Sequence, residues 1–338
     1  MKKIKIGIVG LGRLGKKHAE NIAFRVPNAE LEAVCSIVRN EVDEIKGAWG
    51  IKYAYYSFDE MLDNKELDAI FIASSSGEHC RQIEVALDAG FHVFSEKPLG
   101  LTLEECILAE KAVERHADKV FMLGFMRRYD SSYAYAKRKI EEGFIGKPYL
   151  IRCYGLDPVN AVQGAIRFAE TSGGIFLDMA VHDFDLARWF LKSEARSVYA
   201  VGGCYAYKEF EKYDDADNAA ALVQFKNGAV GLFYVGRTCA HGYHIETEIV
   251  GTKGSLRVGT VPYKNLVTIF DETGAVNECV GGFLERFEQA YLSELQEFVN
   301  CIIEGRKPEV TVYDGVKSTE LAYAAKESLI GNKLVFLK

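Results

Sequence analysis

The run Leu177–Phe190, LDMAVHDFDLARWF, sets one histidine among three aspartates in an otherwise apolar stretch. Helical spacing predicts Asp178 and His182 on one face, a turn apart, with Asp185 following three residues later. Such a set could hold a metal, relay a proton, or simply edge a helix. A metal centre needs three or four converging ligands. No HxxxH, HxH or cysteine partner completes one here, so no metal is expected. The proton relay fits better. Oxidising an alcohol by hydride transfer also requires loss of the hydroxyl proton. A histidine with an ordinary pKa of ~6.5 can accept that proton near neutral pH. A carboxylate one turn away can orient it and stabilise its charged form.

A second stretch supplies an electrophile. FSEKPLG, Phe94–Gly100, places Glu96-Lys97-Pro98 at the end of an apolar strand, where open α/β sheets bind ligands. Proline restricts Lys97 and can aim its ammonium at a hydroxyl, favouring the developing alkoxide. The candidate catalytic set is therefore Lys97, Asp178 and His182.

The hydride acceptor is implied by a third motif. Gly10-Leu11-Gly12-Arg13-Leu14-Gly15 is a G-x-G-x-x-G that follows the first expected strand and opens the first expected helix. Gly10 permits the tight turn, Gly12 lets backbone approach a pyrophosphate, and Gly15 lets helix and strand pack. The helix N-terminus, beside Arg13 and Leu14, offers N–H groups to the anion. The second strand runs into Cys35-Ser36-Ile37-Val38-Arg39 with no carboxylate at its tip for a ribose 2′-OH. Ser36 is neutral, and Arg13 and Arg39 would attract a 2′-phosphate. The cofactor is expected to be NAD(P), leaning to NADP; NAD binding without the acid is the alternative. Glu96 and Lys97 join these residues at the expected cofactor edge.

These motifs need elements to hold them. Apolar runs at 4–10, 31–37, 68–74, 92–97 and 119–123 alternate with helical patterns such as Gly15–Phe24, Gly77–Ala89 and Leu103–His116. That alternation predicts βαβ units around a parallel sheet. Beyond about residue 125 the texture changes. A helix at Ser131–Glu142, an extended segment at Pro148–Tyr154 and the helical run Ile175–Leu191 precede several strand-like runs between 198 and 270. KNG (226–228) and GTKG (251–254) read as hairpin turns. Helical patterns at Phe283–Ile303 and Tyr313–Ile330 close the chain. The fold class is α/β: a Rossmann dinucleotide-binding domain over 1–125, then an α+β domain over 126–338.

Composition narrows the partners. Over 338 residues, 49% are hydrophobic and 26% charged, with a net charge of −7. That balance is soluble and globular, and it carries no basic stripe for nucleic acid. No segment reaches ~18 uninterrupted apolar residues, so no membrane span is expected. Eight cysteines without a CxxC suit reduced thiols in a cytoplasm.

The glycine loop, Glu96-Lys97-Pro98 and SGGIFLDMAVHDFD (172–185) together resemble the glucose–fructose oxidoreductase-like and inositol dehydrogenase-like (Gfo/Idh/MocA) family over essentially the whole chain. GFMRRYD (124–130) narrows the likeness to bacterial inositol 2-dehydrogenases. The resemblance implies oxidation of a cyclic polyol, inositol to inosose, with Lys97, Asp178 and His182 matching the family's active-site lysine, helix aspartate and catalytic histidine. It also implies an open, mainly antiparallel second sheet and a homo-oligomer, dimer or tetramer. An aldose or other sugar dehydrogenase, or a non-catalytic dinucleotide-binding regulator, are the rival readings. The chain departs from the pattern at Ser36, where many inositol enzymes carry Asp, and at Gly155 in the segment 151–158, where they carry polar groups including a histidine. Further substrate-side candidates are Arg127, Asp157 and Tyr243, beside His244 in CAHGYH (239–244).

Overall fold

A computed structural model describes residues 3–259 and 263–337. The chain forms two compact units. The first comprises Met1–Tyr129 with Gln289–Thr319, and the second Asp130–Glu288 with Glu320–Lys338.

The first unit is built on a six-stranded parallel sheet, β1 (Ile4–Val9), β2 (Ala29–Cys35), β3 (Tyr53–Tyr55), β4 (Ala69–Ile72), β5 (His92–Glu96) and β6 (Phe121–Gly124). Their order, 3-2-1-4-5-6, is that of a dinucleotide-binding fold. Apart from the half-buried edge strand β3, the strands are short and almost fully buried, as a sheet covered on both faces requires. Ile6, Ile8, Val34, Phe71 and Phe94 form the core, and Phe71 stacks on Phe94 at 4.2 Å. The three-residue β3 has too little apolar run to stand out in the sequence.

The boundary expected near residue 125 is not a single cut. The helix Glu288–Glu304 turns Leu295, Phe298 and Val299 into the core of the first sheet, and Phe298 meets Phe94 edge-on at 5.7 Å. Residues 289–319 thus pack with the nucleotide half, where their apolar stripe is buried.

The second unit carries β7 (Pro148–Pro158), β8 (Ala195–Gly203), β9 (Asn218–Phe225), β10 (Val230–Cys239), β11 (His244–Gly251), β12 (Gly254–Val258), an outlying hairpin of β13 (Tyr263–Asp271) and β14 (Gly274–Cys279), and a short β15 (Val335–Phe336). Seven of these make one sheet in the order 12-11-7-10-9-8-15. All neighbours are antiparallel except β7 and β10. The KNG and GTKG turns join β9 to β10 and β11 to β12, and Gly228 takes the positive φ that the first turn needs. Burial alternates along β8, β9 and β10, so one face is packed and the other open. The packed face takes the helix Val181–Leu191, whose Phe184 stands edge-on to Phe233 at 4.9 Å.

Candidate active site

The nucleotide half gathers at the carboxyl ends of β1, β2 and β5. Gly10 has φ +89°, and a Cβ there would fall on the Ala73 backbone; one at Gly15 would fall on the Gly10 carbonyl. A Cβ at Gly12 would meet nothing within 4 Å. Gly12 also caps the helix Arg13–Phe24, and it has no side chain with which to cap the helix's first N–H groups. An open cradle at an uncapped helix start fits a pyrophosphate. Arg13 and Leu14 open that helix.

At the tip of β2 the structure supplies a carboxylate that the strand itself lacks. Ser36 Oγ donates to Glu41 Oε2 at 2.8 Å and accepts from the Val38 amide at 3.1 Å. Glu41 lies in the first turn of the helix Arg39–Trp49. The Arg39 guanidinium lies over the Tyr56 ring at 4.3 Å. The expectation of a tip free of acid is thus corrected: the acid arrives from the next helix rather than from the strand.

At β5, Glu96 is buried and Lys97 half-buried. The Lys97 amide donates to Glu96 Oε2 at 3.1 Å, and the Lys97–Pro98 bond is cis. His79, wholly buried, sets Nδ1 2.8 Å from the Pro98 carbonyl and Nε2 3.2 Å from that of Ser74, tying the turn after β5 to the one after β4. Burial pushes the His79 pKa down. Arg127 is buried in the turn Met126–Tyr129 of the same unit.

The residues expected to act as acid and base lie wholly in the second unit. Phe176–Ala180 is a π-helical turn, and the α-helix begins only at Val181. The uniform α-helical spacing expected for Asp178 and His182 is therefore corrected; one widened turn separates them. His182 is 8% exposed. Asp178 is held by Arg237 of β10, whose Nη2 donates to Asp178 Oδ2 at 3.3 Å while Nη1 donates to Asp215 Oδ2 at 2.8 Å and to the Ala216 carbonyl at 2.9 Å. Burial works against the Arg237 charge, yet the two carboxylates outweigh it and raise its pKa. Asp215 Oδ1 also accepts the Ile175 amide at 2.7 Å, fixing the start of the segment that bears Asp178.

Gly155 has a physical reason. A Cβ there would lie 2.8 Å from Asp183 Oδ2, so the fully buried Asp183 seats against β7 only because the strand carries glycine at that point. The register pairs Leu156 with His244 and Pro158 with Cys239, which brings Asp157, Tyr243 and the end of β10 to one end of the sheet. Asp157 is half-buried. Tyr243 is buried, its ring edge-on to Phe287 at 6.3 Å. His241 links Cys239 (Nε2 to Sγ, 3.3 Å) and His244 (Nε2 to Nδ1, 3.1 Å), and burial lowers the His244 pKa.

The strand order and glycine cradle of the first unit are those of a nicotinamide-dinucleotide-binding oxidoreductase domain, and the second unit carries Asp178, His182 and the buried Arg237. Residues 4–125 match the oxidoreductase family's NAD-binding Rossmann fold, and residues 133–257 match the GFO/IDH/MocA C-terminal domain. The chain belongs to the GFO/IDH/MocA family. It is similar to scyllo-inositol dehydrogenase from Lactobacillus casei, solved with NAD(H) and scyllo-inositol, at 46% identity and a TM-score of 0.96 over 99% of each chain. It is also similar to myo-inositol 2-dehydrogenase from Lactobacillus plantarum, at 37% identity and a TM-score of 0.97 over 100% of both. The NAD-dependent scyllo-inositol 2-dehydrogenase of Bacillus subtilis strain 168 is 36% identical over 96% of this chain and 94% of that protein.

Proposed function

We propose that the protein oxidises a ring hydroxyl of an inositol to the corresponding inosose with a nicotinamide cofactor. The observation that carries this is the pairing of an open glycine cradle with a helix-borne Asp178–His182 set in a chain so similar to inositol dehydrogenases. The bound nicotinamide would supply the hydride acceptor. His182 takes the hydroxyl proton. Lys97 hydrogen-bonds the same oxygen and stabilises its developing charge. Asp178, steadied by Arg237, accepts a hydrogen bond from the base or a neighbouring hydroxyl. Arg127, Asp157 and Tyr243 contact other hydroxyls of the ring. The test is a panel of inositol isomers and aldoses assayed with NAD and with NADP, with the product identified. An inositol should give the highest kcat/KM; an aldose giving it would overturn the substrate class.

On the cofactor, Glu41 speaks for NAD over the NADP that Arg13 and Arg39 suggest. Its carboxylate holds the Ser36 hydroxyl where a 2′-phosphate would need room and positive charge. Glu41→Gln should raise kcat/KM with NADP relative to NAD on the order of tenfold, since it removes a like charge. An unchanged cofactor ratio would contradict a role for Glu41.

The open sheet face supports a homo-oligomer. Tyr199, Leu222 and Leu232, all exposed, are neighbours across β8, β9 and β10, since Leu222 pairs with both Tyr199 and Leu232. Such a stripe suits a second copy of the chain. Leu222→Lys should shift sedimentation toward the monomer without loss of folded structure. A cytoplasmic setting is supported by the eight cysteines, all free. No helix among the described residues is long and apolar enough to cross a membrane.

A further inference from the structure

Beneath the Lys97 turn lies a buried trio outside the chemistry described so far. His18, Glu96 and Glu294 are 0%, 5% and 0% exposed, and one ligand-type atom of each lies within 4.8 Å of the other two. His18 Nε2 stands 2.7 Å from Glu96 Oε1. The other Glu96 oxygen accepts the Lys97 amide. No N–H or O–H donor among the described residues reaches either Glu294 oxygen as it stands, and His18 Nδ1 is likewise unmet, so a proton on Glu294 has Glu96 and His18 as its nearest acceptors. The surroundings are aromatic: His18 lies 4.5 Å from Phe71 and edge-on to Tyr291 at 5.4 Å.

Two carboxylates cannot both stay ionised in so dry a shell with one imidazole. Burial, and then the Glu96 charge, push the Glu294 pKa well up. A neutral Glu294 has one O–H to place, and the acceptors in the trio are Glu96 and His18. The titratable groups facing it are Glu96 from β5, His18 from the helix Arg13–Phe24 and Tyr129 from the turn Met126–Tyr129, with Tyr291 on its own helix.

We propose that Glu294 is a positioning residue for Lys97: as a neutral acid it anchors the Glu96 carboxylate, which holds the Lys97 amide and so the direction of the ammonium. This rests on the role of Lys97 proposed above. The same atoms could hold a divalent cation, but tetrahedral zinc ligands stand roughly 3.3 Å apart. The shorter His18–Glu96 contact is a hydrogen bond and favours the proton.

Wild type, Glu294→Gln and Glu294→Leu are compared as full-length proteins in kinetics and in thermal unfolding across pH. Gln keeps a neutral donor, so it should hold kcat within about threefold, whereas Leu should lose about tenfold in kcat with little change in KM for NAD. The unfolded wild type ionises Glu294 above pH ~4.3 while the folded protein keeps it protonated, so wild-type stability falls as pH rises through that range. The Tm advantage of Glu294→Gln should therefore grow with pH. A Gln variant as impaired as Leu would overturn the proposal, as would parallel Tm curves at every pH. So would a stoichiometric metal in the purified wild type that is lost with Glu294→Gln. A wild type that oxidises neither polyol nor sugar would instead sink the reading of Lys97, and the substrate panel shows that independently of the variants.

Discussion

His182→Ala and Lys97→Ala should each lower kcat by about 10²–10⁴-fold while leaving the Kd for NAD within a few-fold. His182 is the group proposed to take the hydroxyl proton, and it is 8% exposed on the helix Val181–Leu191. Lys97 sits half-buried on a turn fixed by Glu96 and by the His79 clasp on Pro98. Neither residue belongs to the glycine cradle, so most of the cofactor affinity should survive both changes, Lys97 at the expected cofactor edge accounting for the few-fold loss. Steady-state rates with the preferred inositol, beside a titration of NADH fluorescence, make the check. Full turnover in either variant would refute the role assigned to that side chain, and a parallel loss of NAD binding would assign the damage to folding.

Arg237→Met should be the most destabilising of the single changes described. The guanidinium is 1% exposed, bridges Asp178 and Asp215, and lies over the Phe210 ring at 4.5 Å. Methionine keeps most of the volume but leaves two carboxylates facing each other without a counter-charge. Removing one partner of a buried ion pair costs about 3–5 kcal/mol. Adding Asp215→Asn should recover part of that loss, because it removes one orphaned charge. Denaturant unfolding of the single and double variants measures both. A single variant as stable as wild type would show that the bridge contributes nothing.

Much of the nucleotide half was legible because its signals are local. The glycine spacing, the apolar strands and Glu96-Lys97-Pro98 each lie within a few residues of what they position. Glu41 was less visible, since it reaches Ser36 from the following helix and a strand-tip rule looks only at the strand. Arg237 stands at an inward position of β10, where a charge is unexpected and hence informative, but its partners lie 22 and 59 residues away. Glu294 shares a helical face with Tyr291, Leu295 and Phe298, all buried. A carboxylate on that stripe is a readable anomaly, yet nothing in the pattern names Glu96 and His18 as its company. The π-helical turn at Phe176–Ala180 leaves no trace in periodicity, because one inserted residue shifts a face without breaking its apolar character. The return of the helix Glu288–Glu304 to the first sheet is a tertiary choice between two apolar surfaces, and local patterning is the same for either.

Hydride should pass directly from a ring carbinol to the nicotinamide. Inositol carrying deuterium on its ring carbons, turned over with unlabelled NAD, tests it in one mass measurement of the reduced cofactor. One deuterium per reduced nicotinamide is the predicted result. Reduced cofactor without the label, or none formed from any inositol, would contradict the account.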